Sequence, residues 1–274
     1  MLLAIDVGNS NTCVGVFAGE SLRCELRLST RRDWTRDEVA IALERALALS
    51  ELGFADLDDA VMASVVPPAV PAWKQALSRY VEIDPLIIGP GVRTGLPIRY
   101  DPPQDVGADR IASSVAAYHR YGGTSARVET AGDEPRGVIV VDFGTATTFD
   151  VVSPKPEYLG GVIAPGIGIS ADALFTRAAK LPRVNITRPA SVIGRNTVSA
   201  IQSGLVYGYV SLVEGVLQRI RSELRWPVVV IGTGGFAVDV ARESRCIEIV
   251  DDSLVLEGLR LVHARNRGAP SRRG

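Results

Sequence analysis

The chain has 274 residues, enough for one large domain or two modest ones, and 46% of them are hydrophobic, so a sizeable core can be buried. The formal net charge is −1, which argues against bulk nucleic-acid binding. Of the 30 basic residues only Lys74, Lys155 and Lys180 are lysine, and none lies in a glycine-rich turn, which excludes a Walker-type phosphate loop. Cys13, Cys24 and Cys246 are scattered and odd in number, as expected of free thiols in a reducing compartment. The apolar run before Asp6 is too short for a signal peptide, and no stretch approaches the length of a membrane span, so a soluble cytoplasmic protein is expected.

Leu2–Ile5 is an apolar run leading into Asp6, Val7, Gly8, Asn9, Ser10, Asn11, Thr12 and Cys13, the pattern of a buried strand entering a tight turn. Gly8 lets the backbone approach an anion, and Asp6 suits a phosphate that arrives with a divalent cation. Val14–Phe17 and Leu22–Leu28 predict a hairpin, and Thr35-Arg-Asp-Glu38 predicts a capped helix with Val39, Leu43 and Leu47 on its apolar face. Ala60–Val66 predicts a strand, Val70 to Tyr80 an amphipathic helix, and Leu86–Ile88 a short strand. Residues 91–109 form a long, proline-broken loop, and loops of that length are often functional. It ends at Gly107-Ala108-Asp109-Arg110, placing Asp109 and Arg110 at a helix start, where Asp109 would serve as a cap, a catalytic group or both.

Residues 122–136 read as a flexible polar insert. Val138–Val141 then repeats the opening pattern: Asp142, Gly144 and Thr148 follow with the spacing of Asp6, Gly8 and Thr12, which points to an internal duplication with a nucleotide in a cleft between the halves. Asp142-Phe143-Gly144 spells a protein-kinase motif, but the chain lacks its His-Arg-Asp loop, since Tyr121 follows His119-Arg120. A glycine-rich segment follows at 158–168, then a helix capped by Ser170 and running through Lys180. A long helix is predicted from about Val198 to Leu224, with Ile201, Leu205, Leu212, Val216 and Ile220 as its apolar stripe. Ala200, Gly204, Gly208, Ser211 and Gly215 form a smooth groove on this helix. Glycine inside a helix costs about 1 kcal/mol against alanine, so the groove implies close packing, within the chain or against a second subunit. Val228–Ile231 predicts a buried strand ending in a third glycine-rich turn, 232–235, suited to adenosine or ribose. A last helix covers Leu254–Leu261. The expected organisation is an N-terminal domain over 1–121, the insert over 122–136, a C-terminal domain over 137–263 and a disordered tail over 264–274. Two acidic turns and a carboxylate at a helix start fit phosphoryl transfer by positioning and electrostatics.

Taken together, residues 5–12, 107–110, 142–148 and 160–166 resemble the type III pantothenate kinases, in order and spacing, from Met1 to about Leu261. The resemblance implies an α/β protein of two duplicated ribonuclease-H-like, actin-type domains. It implies phosphorylation of pantothenate by ATP, with Mg2+, a monovalent cation (K+ or NH4+) and a homodimer. By motif position, residues Asp6 to Cys13 and Thr145 would contact ATP, Asp6 would meet magnesium through phosphate, and Asp142 would hold the monovalent cation. Tyr100, Gly107, Ala108, Asp109, Arg110 and Thr197 would contact pantothenate, with Asp109 as proton acceptor. Another actin-like sugar kinase and a non-catalytic nucleotide-binding regulator are the alternatives; no nucleic-acid or membrane partner is expected.

Overall fold

A computed structural model describes residues 1–124 and 134–267. It divides into two compact units: Met1–Ala116 with the C-terminal stretch from Ser253, and Ala117–Asp252. In the first unit β1 (Leu2–Val7), β2 (Asn11–Ala18), β3 (Ser21–Ser29), β4 (Asp59–Ser64) and β5 (Leu86–Ile87) form one sheet in the order β3-β2-β1-β4-β5. β1 to β3 are antiparallel neighbours, whereas β4 and β5 add in parallel.

Helix α1 (Arg36–Ala48) begins at the predicted capping box, with Thr35 and Glu38 bonded reciprocally. Its Val39, Leu43 and Leu47 pack with Trp73 of α2 (Val70–Ala76) against Leu3, Ile5 and Met62 of the sheet. This apolar burial is the main stabilising term of the unit. The sheet's other side meets α7 (Leu254–Arg267). That assignment corrects the expected C-terminal domain of 137–263. Leu256, Leu259 and Val262 of α7 are buried, and Gly258 lies so close to Ala112 of α3 (Ala108–Tyr121) that a Cβ would overlap its carbonyl. Ala264–Arg267, expected in the disordered tail, complete α7; residues 268–274 lie outside the described residues.

The second unit repeats the plan. β6 (Gly137–Phe143), β7 (Ala146–Val152), β8 (Tyr158–Pro165), β9 (Val228–Thr233) and β10 (Ile249–Val250) take the order β8-β7-β6-β9-β10, with the same senses as their counterparts. The duplication is therefore one mixed sheet built twice, each a ribonuclease-H-like unit of the actin type. α5 (Thr197–Glu223) and α6 (Ala237–Glu243) bury one face of this sheet over Ile139, Val141 and Phe143. Of the expected insert, Gly123 and Arg136 pair as a β-bridge, and 125–133 lie outside the described residues.

Helix α4 (Ile167–Arg177) is capped at Gly166, not Ser170, and ends short of Lys180. The Ser170 hydroxyl lies inside the first turn and donates back to Gly166 O at 3.0 Å. In α5 the buried apolar residues are Leu205, Tyr209, Val210, Val213 and Leu217; of the expected stripe Leu205 is buried, Val216 and Ile220 pack partly buried against the same core, and Leu212 is 37% exposed. Tyr209, absent from the expected stripe, packs its ring on Phe143. At 27 residues α5 is also long and apolar enough to cross a membrane by length and composition, with a window of mean hydropathy 1.2. That corrects the expectation that no stretch reaches that length; interspersed glycine and serine hide the run from the eye.

Candidate functional site

The first acidic turn follows directly from β1. Leu3, Ala4 and Ile5 are fully buried, so Asp6 emerges half-exposed at the end of the strand. Gly8 N–H donates to Asn11 O at 3.0 Å, and a Cβ on Gly8 would stand 2.9 Å from that oxygen. Thr30, beyond β3, braces the loop: its hydroxyl donates to Gly8 O at 2.7 Å, pairs with the Thr12 hydroxyl at 2.9 Å, and its N–H donates to Ser10 O at 3.0 Å. Val7 and Thr12 are therefore buried supports, whereas Asn9, Ser10 and Asn11 are exposed. Cys13 stands across from Asp6 in the β1–β2 register. Burial pushes its thiol up, against the opposing pull of Arg27, so it stays protonated near neutral pH.

The second turn is shorter. Three residues separate β1 from β2, but only Gly144 and Thr145 separate β6 from β7. Hence Thr12 pairs with Val7, and the matching pair is Phe143 with Thr147. The superposition of Thr12 on Thr148 is corrected accordingly: the counterpart is Thr147, fully buried as Thr12 is, and the extra residue of the first turn shifts the count by one.

Two distant segments close on this turn. Gly166 N–H donates to Thr145 O at 3.2 Å, and a Cβ on Gly166 would overlap that oxygen. Gly234, at φ +89°, lies against Asp142 and Phe143; a Cβ there would overlap Asp142 Oδ1 and stand 2.9 Å from the Phe143 backbone. Gly166 of the 160–166 motif and Gly234 of the 232–235 motif thus have one physical cause, close approach to the Asp142 turn. Sequence reading missed the side chain beneath it. The Tyr209 hydroxyl bonds to the Thr147 hydroxyl inside the core. Burial, then the charge of Asp142, pushes the Tyr209 hydroxyl up to about 12. Tyr209 also floors a cavity of about 630 Å³ between α5 and α6, walled by Val206, Val210, Phe236 and Val240.

Asp109 sits in the first turn of α3, as predicted. Its Oδ1 accepts from Arg110 N–H at 2.8 Å, and the carboxylate lies over Gly107, where a Cβ would overlap it. A side chain at 107 would turn that carboxylate away. Gly107, Ala108, Asp109, Arg110 and Tyr100 are all half-exposed on the first unit. Thr197 begins α5 on the second unit, exposed beside Asn196 and Gly204 in an open groove of about 740 Å³. His263 is buried, with Nε2 2.9 Å from Asp59. Among the described residues no three His, Cys, Asp or Glu side chains gather as a metal cluster.

A mixed sheet built twice, each copy delivering an acidic, glycine-bearing turn, defines the actin-type class of scaffold. Solved structures agree on the fold alone. A Baf-family protein from Campylobacter jejuni, named for transcriptional activation, aligns over 97% of this chain and 100% of its own (TM-score 0.59, 20% identity). An ethanolamine utilization protein from Carboxydothermus hydrogenoformans aligns over 95% and 89% (TM-score 0.54, 13% identity). The family model for type III pantothenate kinase matches residues 2–219. Type III pantothenate kinases from Moorella thermoacetica and Myxococcus xanthus are 48% and 50% identical, over 97% and 98% of this chain and all of their own lengths. The chain belongs to the type III pantothenate kinase family.

Proposed function

We propose that this protein transfers the γ-phosphoryl group of ATP to the 4′-hydroxyl of pantothenate, forming 4′-phosphopantothenate at the first step of coenzyme A biosynthesis. The observation that carries the reading is end-to-end similarity, near 50% identity, to relatives bearing that one name. The candidate residues support it. Asp109 is the proton acceptor and orienter of the hydroxyl. Gly107 beneath it and Arg110 N–H beside it fix its direction. In a loose transition state that orientation matters more than basicity. Asp6 to Cys13 and Thr145 contact ATP. Because Val7 and Thr12 are buried, their share is backbone and support rather than side-chain contact. Tyr100, Gly107 to Arg110 and Thr197 take pantothenate.

Magnesium commonly sits on one or two carboxylates plus substrate phosphates, so Asp6 alone suffices for it without a dedicated cage. Asp142 suits the monovalent cation, potassium or ammonium: its carboxylate is a hard oxygen donor at a strand end, and the Gly234 backbone, lacking a Cβ, comes close beside Oδ1. The groove on α5 suits a second copy of the chain. Gly204 and Gly208 are exposed, nothing lies within 4 Å of a Cβ built on either, and Val198 and Leu212 stand exposed on the same helix. Free Cys13, Cys24 and Cys246 suit a reducing cytosol.

Labelled ATP with pantothenate, with and without potassium, tests the activity. Product only with pantothenate supports it; product from sugars, or ATP binding without turnover, overturns it. Gly204→Leu with Gly208→Leu should shift sedimentation toward monomer, and an unchanged dimer rejects the α5 interface.

A further inference from the structure

Asp150 is a fully buried carboxylate that the function above leaves unused. Burying a charge is costly unless it is hydrogen-bonded, so its partners need an explanation. Tyr158, itself fully buried, donates its hydroxyl to Asp150 Oδ1 at 2.7 Å, and Thr148 donates its hydroxyl to Oδ2 at 3.0 Å. Thr148 and Asp150 are two apart on β7 and share one face of the sheet. On that face Asp142 of β6 stands directly across from Thr148 on one side and from Thr233 of β9 on the other. Side chains directly opposite on one face lie within contact range. The core formed by Phe143, Phe149 and α5 is on the opposite face, so this polar row is separate from the packing of the helices.

The proton count gives the row its meaning. A threonine hydroxyl has one proton and two lone pairs. Thr148 commits its proton to Asp150, so what it presents toward Asp142 is lone pairs. An ionised Asp142 likewise offers only lone pairs. A cation held at Asp142 would meet both sets of lone pairs. Resting on the reading that Asp142 holds a monovalent cation, we propose that Asp150 is a positioning residue that locks the Thr148 oxygen as a second ligand of that cation. Tyr158 secures the far oxygen of Asp150 and does not face the ion.

The test is a potassium titration of the full chain against choline at constant ionic strength. It is read twice, as turnover and as the potassium-dependent rise in Tm with ATP and magnesium present, since a ligand bound to the native state raises Tm. Thr148→Val and Asp150→Asn should raise the potassium midpoint about 10- to 100-fold in both readouts, the usual effect of losing a ligand's orienting partner. Thr148→Ser should restore the wild-type midpoint. Tyr158→Phe should lower Tm without moving it. Wild-type midpoints in folded Thr148→Val and Asp150→Asn overturn the proposal, and so does a Tyr158→Phe shift as large as that of Asp150→Asn, which would mean a merely structural network. If Asp150→Asn does not fold, the valine and serine variants at 148 decide. A wild-type protein indifferent to potassium removes the cation reading itself, whereas a responsive wild type with unshifted midpoints in Thr148→Val and Asp150→Asn removes only the roles given to Thr148 and Asp150.

Discussion

The turn after β1 and the turn after β6 hold the same place in the same sheet, yet they are braced from different sources. The first is held by its own neighbourhood: Thr30, one strand away, ties Gly8, Ser10 and Thr12. The second has a like brace just beyond its own third strand, Gly166 on Thr145, and adds two from far along the chain, Gly234 on Asp142 and Tyr209 on Thr147. Duplication preserved the topology and let the supports diverge. A local brace makes a turn that tolerates change elsewhere. A turn that also leans on the segment after β9 and on α5 responds to what those elements carry.

The largest effect should come from a residue outside both turns. Asp109→Asn should lower kcat about 10²- to 10⁴-fold, the usual share of general acid–base catalysis, while ATP binding to either turn persists. Isothermal titration beside steady-state kinetics checks this, and full activity would remove Asp109 from its role. Next, alanine at Gly166 or Gly234 places a Cβ into the second turn, whereas at Gly8 the approach is only to 2.9 Å. Overpacking of this kind costs about 1–3 kcal/mol. The two second-turn variants should lose more in urea denaturation than Gly8→Ala, and the reverse order would undo the comparison.

The braces themselves should be smaller in effect. Thr30→Val removes the hydroxyl bonds that hold the first turn, at about 0.5–1.5 kcal/mol per bond, and should raise KM for ATP. Tyr209→Phe removes one bond from the second turn at a similar cost. The smallest effect is visible only in alkali. Tyr209 and Tyr121 are raised from 10.0 to about 12 by burial, so the native state holds their protons more tightly than the unfolded chain does. Their contribution is intact below pH 10 and is lost as pH rises toward 12. Tyr209→Phe should flatten part of that decline in a pH series of Tm, and an unchanged slope would count against it.

Much of the scaffold was legible because it is local. Thr35 and Glu38 cap α1 as their spacing requires, the alternation of β2 and β3 made a hairpin, and both acidic turns sit at strand ends. Gly107 was legible as part of a motif but not as the bed of the Asp109 carboxylate. Asp150 gave no signal, since an aspartate inside an apolar strand looks like an interruption until Tyr158 and Thr148 are seen to meet it.

Local spacing and the order of four motifs were enough to determine the duplication, the family and many of the elements, though not β7, β8, β10 or α6. Tertiary structure alone decided that α7 returns to the first unit, that Thr147 rather than Thr148 answers Thr12, and that glycines 166 and 234 converge on the turn after β6. The reason is physical: strand and helix periods are written within a few residues, whereas register and close approach depend on which distant backbones meet, and that is settled only when the core packs.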